Sequence, residues 1–381
     1  MEGERREHLV HVFDGFRVGG TEVRTARILN AIGEGYRHTI VSLNGNTDAR
    51  GLLREDLAVT FLTAPFPKQE QLRNVVRSRR LLGSLRPDLL ITYGWSPIEW
   101  VMGNALAPLC PMIQAEEGFA DEEMFAQIPR RRLLRRLFFG RCTRVVVCSR
   151  TLAAVAVQSW RLNPGKVMHI PNGVDIARFA FAAQGGGAPG RPLVLGIVAS
   201  LLKVKNHVLL LAACARAAPA LDFELRVVGD GPQRGELERM TKELGLESRV
   251  IFMGHRADPA PVIAGFDIFC LSSRSEQMPL SVLEAMAAGK PVVSTNAGDV
   301  GSMLCDENAP FVVGADDCSG YAAALVRLGE DRSLRERIGE GNRKKCRGCF
   351  SEEAMFEAYT QLYATVLHSG GSMGRGRVLP E

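Results

Sequence analysis

The chain has 381 residues, of which 46% are hydrophobic and 23% charged, as in soluble globular proteins of two or three domains. The net charge of +5 is modest for this length, so we expect no nucleic-acid partner. No apolar run approaches the roughly 18 residues that span a bilayer. The N-terminus, MEGERREHLV, also lacks the apolar core of an export signal, and we expect a cytoplasmic protein.

Short apolar segments alternate with helical patterns through the first half of the chain. The predicted strands are 8–13, 38–43, 59–62, 89–93, 111–115 and 145–148. This alternation is typical of a parallel sheet covered on both faces, whose ligands gather beyond the carboxyl ends of its strands. Two such ends carry polar chemistry, in the segments TYGWSP (92–97) and AEEGFADEE (115–123).

Gly19 and Gly20 follow the first predicted strand and precede a predicted helix over 21–32. A missing Cβ lets the backbone approach a ligand closely, and a tight turn without a ligand is the alternative explanation of the pair. The dinucleotide fingerprint G-x-G-x-x-G is absent here, which argues against an NAD-binding enzyme.

The acidic segment holds five carboxylates between Glu116 and Glu123. It is either a solvated loop or a source of a functional carboxylate, Glu117, at the end of a strand.

An arginine-rich segment, PRRRLLRRLFFGR (129–141), follows the acidic one. Helical spacing predicts Leu133, Leu134, Leu137 and Phe138 on one face and the arginines largely on the other. Such a helix either packs its apolar face in the domain or lies on an anionic membrane surface through Arg130–Arg141.

A second strand and helix series follows the low-complexity segment 182–191, AAQGGGAPGR, which we predict to be a flexible linker. We expect strands over 193–199, 223–228 and 250–253 and helices over 205–218 and 233–244. A last helix is predicted over 351–368 and a disordered tail over 369–381.

The stretch 267–300 combines a strand (268–271), a polar turn with Glu276, a helix beginning at Pro279, and a second strand (291–294). Glu284 lies about one turn into that helix, and Gly289 is expected just past its end. Free amides at a helix start bind anions, whereas carboxylates beside a phosphate are repelled by it and reach hydroxyl groups. Phosphate beside a polyol indicates a nucleotide sugar.

This stretch resembles the donor-binding signature of glycosyltransferase family 4, through Glu276, Glu284 and the continuation EAMAAGKPVVST. The segment PNGVD (171–175) resembles the same family. The resemblance implies the α/β GT-B fold, two Rossmann-like parallel-sheet domains facing across a cleft. It implies retaining transfer of a hexose or N-acetylhexosamine from a nucleotide sugar, UDP-linked above all, to a glycan or lipid-linked acceptor. It implies no metal and no cofactor.

The resemblance also implies roles for single residues. Glu284 would bond the ribose hydroxyls, Glu276 the hexose hydroxyls, and Lys205 the diphosphate. Ser200 stands where relatives have an arginine, and Lys203 is a substitute by proximity. The catalytic residues implied are Glu276, Glu117 (at the position of a family histidine) and Lys205. The donor-binding residues implied are Gly19, Gly20, Ser200, Lys203, Lys205, Gly229, Arg256, Glu276, Met278, Pro279, Leu280, Ser281 and Glu284.

EQMP replaces the usual Glu-Gly-Phe-Gly of the family. Because Pro279 has no amide proton, the phosphate contacts would fall to Met278, Leu280 and Ser281.

The predicted organisation is an N-terminal acceptor-side domain over 1–181, the linker, and a donor-binding domain over 192–350. The helix 351–368 would cross back to the N-terminal domain. Two other functions stay open: a nucleotide-sugar epimerase of the same fold, and a degenerate non-catalytic relative, which Ser200 and Glu117 favour.

The nine cysteines are scattered through the chain. Cys148 and Cys270 lie in apolar segments and are expected to be reduced core residues. Cys346 and Cys349 form a single C-x-x-C pair without a second pair or a histidine cluster, which does not favour zinc or redox chemistry.

Overall fold

The computed structural model describes residues 5–67, 69–119, 121–123, 126–182 and 191–370. The chain forms two compact units. The N-terminal unit contains the described residues up to Pro171 and those from Met355 onward, and the C-terminal unit runs from Asn172 to Ala354. Most of the predicted linker and tail, 183–190 and 371–381, lies outside the described residues.

The N-terminal unit is built on a seven-stranded sheet in the order β3-β2-β1-β4-β5-β6-β7, with every pairing parallel. Its strands are β1 Glu7–Phe13, β2 Tyr36–Ser42, β3 Val59–Thr63, β4 Leu89–Tyr93, β5 Met112–Glu116, β6 Arg144–Val147 and β7 Val167–His169. Its helices are α1 Gly20–Ile32, α2 Gln71–Leu85, α3 Ile98–Leu106, α4 Pro129–Phe138 and α5 Arg150–Gln158.

The C-terminal unit has a six-stranded sheet in the order β10-β9-β8-β11-β12-β13, also parallel. Its strands are β8 Leu193–Val198, β9 Phe223–Val228, β10 Val250–Gly254, β11 Ile268–Leu271, β12 Val292–Thr295 and β13 Val312–Val313. The helices from here on are α6 Ile176–Ala182, α7 His207–Ala217, α8 Arg234–Glu243, α9 Ala260–Ala264, α10 Leu280–Ala287, α11 Val300–Met303, α12 Cys318–Glu330, α13 Arg332–Cys349 and α14 Glu352–Gly370.

The central strand β1 is buried on both faces, as expected for a covered parallel sheet. Leu9 and Phe13 belong to one apolar cluster, and Val10 and Val12 belong to another on the opposite face. The first cluster includes part of α14, so the end of the chain completes the core of the N-terminal unit. Its members from α14 are Met355, Tyr359, Leu362, Tyr363 and Val366.

Helix α10 ends as the sequence predicts. Gly289 follows its last turn with a φ of 69°, and its amide donates to the carbonyl of Met286 at 2.9 Å. The amide of Lys290 reaches back to the carbonyl of Ala285 at 2.9 Å. This pair of bonds is the Schellman motif, in which a glycine tolerates the left-handed backbone.

Most predicted elements match the observed ones to within two residues, and β4, β9 and β11 match at both ends. One difference lies before α7, which was predicted to begin at Lys205. Lys203–Lys205 instead forms a 3-10 turn, and Asn206 takes a left-handed φ of 49° that separates the turn from the helix. A second difference is that residues 172–182 belong to the C-terminal unit, where Val174 pairs with Ser351.

The predicted faces of the arginine-rich helix are wrong. Arg135 is fully buried, whereas Leu133 and Leu137 are 53% and 43% exposed. The reason is that Arg135 enters a buried polar and aromatic environment. Its guanidinium makes two bonds to Glu123, at 2.9 and 2.7 Å, and lies within 5.5 Å of the ring centres of Trp95, Phe119 and Trp160.

Candidate functional site

Lys205 and Glu276 meet at the carboxyl ends of two adjacent strands of the C-terminal unit. Lys205 follows β8, Glu276 follows β11, and the two strands pair in parallel. The Lys205 ammonium lies 2.5 Å from Oε1 of Glu276, and the Ser273 hydroxyl donates to the same oxygen at 2.7 Å. The fold thus brings together two of the three residues expected to be catalytic.

Three further hydrogen bonds fix the turn that carries Glu276. The Ser272 hydroxyl donates to the carbonyl of Lys205 at 2.8 Å, and the amide of Arg274 donates to the carbonyl of Val204 at 2.8 Å. The Thr295 hydroxyl donates to the carbonyl of Ser273 at 2.6 Å. These bonds tie the ends of β8, β11 and β12 together, so the Lys205–Glu276 pair is held by backbone anchors on both sides.

The loop after β12 passes directly over the Glu276 backbone. Gly298 has a φ of 56°, and a Cβ placed on it would collide with the carbonyl oxygen of Glu276. The amide of Asp299 donates to the carbonyl of Gln277 at 2.9 Å. Asp299 is buried and precedes α11, and its side chain makes no capping bond there.

Helix α10 begins a few residues after Glu276 along the chain. Pro279 is the N-cap with extended backbone, and the amides of Val282 and Leu283 are the first that bond to its carbonyl, at 3.2 and 3.4 Å. The amides of Leu280 and Ser281 precede this first bond, as they do in every α-helix. Glu284 lies on the same helix and is only 8% exposed.

Met278 is buried and held by Asn172 of the PNGVD segment. The Asn172 side-chain amide donates to the Met278 carbonyl at 2.7 Å, and its backbone amide lies 3.2 Å from the Met278 sulfur. PNGVD therefore braces the residue before the helix start.

The remaining donor-side predictions are spread around the same sheet edge. Gly229, after β9, has a φ of 137°, and a Cβ there would collide with the carbonyl oxygen of Ala199 after β8. Ser200, Lys203 and Arg256 are exposed. Within the described ranges, none of these three side chains forms a hydrogen bond or ion pair with Glu276.

In the N-terminal unit, Glu117 is joined by an ion pair to Arg24 of α1, which is fully buried. Glu22 lies in the first turn of α1. Burial, with a contribution from the Glu117 charge, raises the pKa of its carboxyl to about 7. Gly19 caps α1, and a Cβ on it would approach a Glu22 carboxylate oxygen to 2.7 Å, whereas Gly20 has open space. Sequence reasoning missed Arg24, because its partner is far away along the chain.

The acidic segment is not a solvated loop at its two ends. Glu116 and Glu123 are fully buried. Burial raises the pKa of Glu116 to about 7, and Gln114 donates to its carboxylate at 2.9 Å. Burial also acts to raise the pKa of Glu123, but the hydrogen bonds and charge of Arg135 outweigh that effect and lower it.

A pocket of about 750 Å³ opens at the carboxyl ends of β1, β2 and β4. Asp14, Asn44 and Glu99 contribute polar groups, and Phe66 and Trp95 contribute aromatic rings. The segment TYGWSP signalled Trp95 and Ser96 in advance. Asp14 and Asn44 belong to no motif. Only their position just after two predicted strands indicates that they lie at this edge of the sheet.

Among the described residues, no group of three or more His, Cys, Asp and Glu side chains is arranged to hold a metal ion. All nine cysteines are free thiols, and Cys148 and Cys270 are buried as predicted. No helix in the described part of the chain is both long enough and apolar enough to cross a bilayer.

Two protein-family profiles match the chain. Residues 18–178 match Glycosyltransferase Family 4, and residues 192–331 match Glycosyl transferases group 1. The lipopolysaccharide core biosynthesis glycosyltransferase LpsD of Rhizobium meliloti is 37% identical over 36% of this chain and 40% of its own length. An Escherichia coli UDP-Gal:alpha-D-GlcNAc-diphosphoundecaprenol alpha-1,3-galactosyltransferase is 28% identical over 52% of this chain and 54% of its own. The chain thus aligns with about half the length, or less, of these relatives.

Solved structures share the fold over nearly the whole chain. Sucrose-phosphate synthase from Thermosynechococcus elongatus superposes with a TM-score of 0.80 at 18% identity, covering 96% of this chain and 100% of that one. Anabaena HepE in complex with UDP and glucose gives a TM-score of 0.77 at 20% identity, covering 94% and 99%. The solved structures and the two parallel sheets show the GT-B α/β fold. The two profile matches, over 18–178 and 192–331, show that the chain belongs to the family 4 glycosyltransferases.

Proposed function

We propose that this protein transfers a hexose or N-acetylhexosamine from a nucleotide sugar to a glycan or lipid-linked acceptor, with retention at the anomeric carbon, in glycoconjugate synthesis. The observation that carries the proposal is the Lys205–Glu276 pair, anchored between two strand ends and followed along the chain by the start of α10. The relatives that support it are named as glycosyltransferases of lipopolysaccharide or lipid-linked glycans. Retention rests on the family resemblance.

The donor would bind at the carboxyl edge of the C-terminal sheet. Lys205 and the amides of Leu280 and Ser281 offset the charge of the diphosphate, which grows as the glycosidic bond breaks. Glu276 accepts hydrogen bonds from the hexose hydroxyls, and Glu284 accepts them from the ribose. Uracil is the proposed base, because relatives and structural neighbours are named with UDP or UDP-sugars.

Other donor-side residues have supporting roles in the proposal. Gly229 would allow the loop after β9 to lie against the carbonyl of Ala199 after β8, where there is no room for a side chain. Lys203 and Ser200 share the loop after β8 with Lys205, and Lys203 would supply the second positive charge. Arg256 would lie toward the base. We propose that the reaction needs no metal ion, since Lys205 and the helix amides supply the positive charge.

The acceptor would bind in the pocket of about 750 Å³ in the N-terminal unit. Sugars combine an apolar ring face with outward hydroxyls, and Trp95 offers a flat apolar surface beside the polar groups of Asp14, Asn44 and Glu99. Glu117 has an orienting role in this proposal. The ion pair with buried Arg24 holds its carboxylate in place at the end of β5.

Association with an anionic membrane surface, on its cytoplasmic side, is a further part of the proposal. It now rests on a smaller set of groups than the whole Arg130–Arg141 segment, because Arg135 is buried and Arg131 is paired with Glu122 and Glu123. The exposed leucines Leu133 and Leu137 would enter the interfacial region while the exposed Arg132 and Arg136 beside them bind lipid phosphates.

A thermal-shift panel with UDP-, GDP-, ADP- and dTDP-sugars tests the donor site first. A ligand at 100 times its Kd adds about 2.7 kcal/mol to the stability of the folded state. We expect the sugars of one nucleotide to raise the Tm of the protein. Glu284→Ala should abolish this shift, whereas substitution of the exposed Glu247 by alanine should leave it unchanged. No shift with any nucleotide sugar would favour the degenerate relative, and donor turnover without an acceptor would favour the epimerase.

A further inference from the structure

Helix α4 and the end of α5 enclose a second, smaller pocket of about 310 Å³ in the N-terminal unit. It shares no lining residue with the larger pocket, because helical spacing places Arg130, Arg131 and Leu134 toward one and Arg132, Leu133 and Arg136 toward the other. The lining residues are Pro129, Arg132, Leu133, Arg136, Gln158, Ser159 and Arg161. The pocket is therefore separate from the proposed donor and acceptor sites, but it lies on the α4 surface proposed to meet a membrane, and the inference rests on that part of the proposed function.

Three guanidinium groups line this pocket, and no carboxylate does. Across the described parts of the chain, the side chains of Arg132, Arg136 and Arg161 form no hydrogen bond and no ion pair. The other arginines of α4 differ, since Arg131 and Arg135 are paired with glutamates. Three cations around one small space repel each other, and a bound anion would convert that repulsion into attraction.

The backbone holds Arg161 at this position. Its φ of 59° lies in the left-handed region, which costs a non-glycine residue conformational energy. The neighbours on both sides are buried: Trp160 is fully enclosed, and Leu162 is 4% exposed. Their amides bond to the carbonyls of Val155 and Ala156 at the end of α5, at 3.2 and 3.1 Å. The two buried, hydrogen-bonded neighbours thus fix the position of the Arg161 backbone between them.

We propose that this pocket binds a phosphate group. The planar fork of arginine matches the oxygens of a phosphate, and three such forks satisfy a tetrahedral anion from several directions. Gln158 and Ser159 add neutral polar groups to the wall. Leu133 lines the rim and Leu137 is exposed one turn further along α4, which favours a phosphate esterified to an apolar chain, as in a lipid headgroup.

The test measures binding of two phosphate sources by the full chain. Inorganic phosphate is titrated by calorimetry, and vesicles of phosphatidylcholine with and without phosphatidic acid are tested by cosedimentation. The variants are Arg136→Ala and Arg161→Asn, since asparagine tolerates the left-handed backbone. Arg141→Ala is the matched control, because Arg141 is exposed at the end of the same arginine-rich segment and does not line the pocket.

We expect each pocket variant to weaken phosphate or phosphatidic-acid binding by about 10- to 100-fold, and the control by less than about 3-fold. Loss in the vesicle arm alone assigns the pocket to a lipid headgroup, and loss in the calorimetric arm assigns it to a soluble phosphate. Equal loss in Arg141→Ala would mean a diffuse basic surface and overturn the proposal, as would binding unchanged in all variants. An unchanged Tm and an unchanged response to the nucleotide sugar separate the result from misfolding and from the donor site.

Discussion

The ammonium of Lys205 and the carboxylate of Glu276 lie 2.5 Å apart, joined by the fold from positions 71 residues distant along the chain. Both side chains are largely enclosed, at 24% and 10% exposure, so solvent screens their attraction less than at an open surface. A donor diphosphate would compete with Glu276 for the same cation. The pair therefore couples the proposed recognition of the phosphate to that of the sugar.

Replacing Glu276 should separate the two functions of the pair. In Glu276→Gln we expect sugar transfer to fall by about 100-fold or more. The reason is that a neutral amide accepts hydrogen bonds from the hexose hydroxyls less strongly than a carboxylate does. The affinity for UDP should stay equal or rise, because Lys205 no longer has a competing carboxylate. Calorimetry with UDP and a product assay measure the two effects. A loss of UDP affinity in Glu276→Gln as large as in Lys205→Met would instead mean that the pair binds the nucleotide as one unit.

Gly229→Ala should destabilise the protein by about 1–3 kcal/mol or more. Its φ of 137° suits glycine alone, and the new methyl group would meet the carbonyl of Ala199. Gly235→Ala is the control: a Cβ at Gly235, in α8, meets no atom within 4 Å. That change should be neutral or stabilise by about 0.4–1 kcal/mol. Urea unfolding of both variants decides, and equal stabilities would show that the approach of the two loops is not tight.

Removing one partner of the buried Arg135–Glu123 pair should cost more than removing both. Arg135→Met leaves the buried Glu123 carboxylate with only the longer ion pair to Arg131, at 3.4 Å, and we expect a cost of about 3 kcal/mol. The double variant Arg135→Met/Glu123→Leu should recover a large part of that loss, because neither charge remains. The free energies of unfolding of the single and double variants form the test. Additive losses would show that the two groups act independently.

Glu116→Gln should stabilise the protein at alkaline pH and have little effect in acid. The folded-state pKa of Glu116 is about 7, above the ordinary value of 4.5, so the folded protein holds more protons between these values. Its stability contribution is therefore lost as the pH rises from about 4.5 to 7. A neutral glutamine escapes this loss, and we expect a gain of about 1–3 kcal/mol at pH 8 that vanishes near pH 4. A difference that is independent of pH would contradict the buried-carboxylate explanation.

The alternation of strands and helices, the glycine after α10 and the positions of Glu276 and Glu284 follow from local pattern, and all were predictable. The inward direction of Arg135 was not. A helical wheel ranks arginine as outward, and the partners that reverse this order come from other segments, namely Glu123, Trp95 and Trp160. The Arg24–Glu117 pair was hidden for the same reason, since it joins α1 to the end of β5. The burial of Arg135 and Arg24 depends on partners from distant segments, and the local spacing of apolar residues cannot predict such partners.

One of the two apolar clusters of the N-terminal unit contains Met355, Tyr359 and Tyr363, which are synthesised after the C-terminal unit. On the ribosome, the first 171 residues must therefore wait, with part of their sheet face uncovered, until the whole C-terminal unit has emerged. The C-terminal unit is contiguous and can finish folding before its neighbour. A chain interrupted after residue 354 would carry one complete unit and one with an exposed apolar face, a natural target for chaperones and proteases.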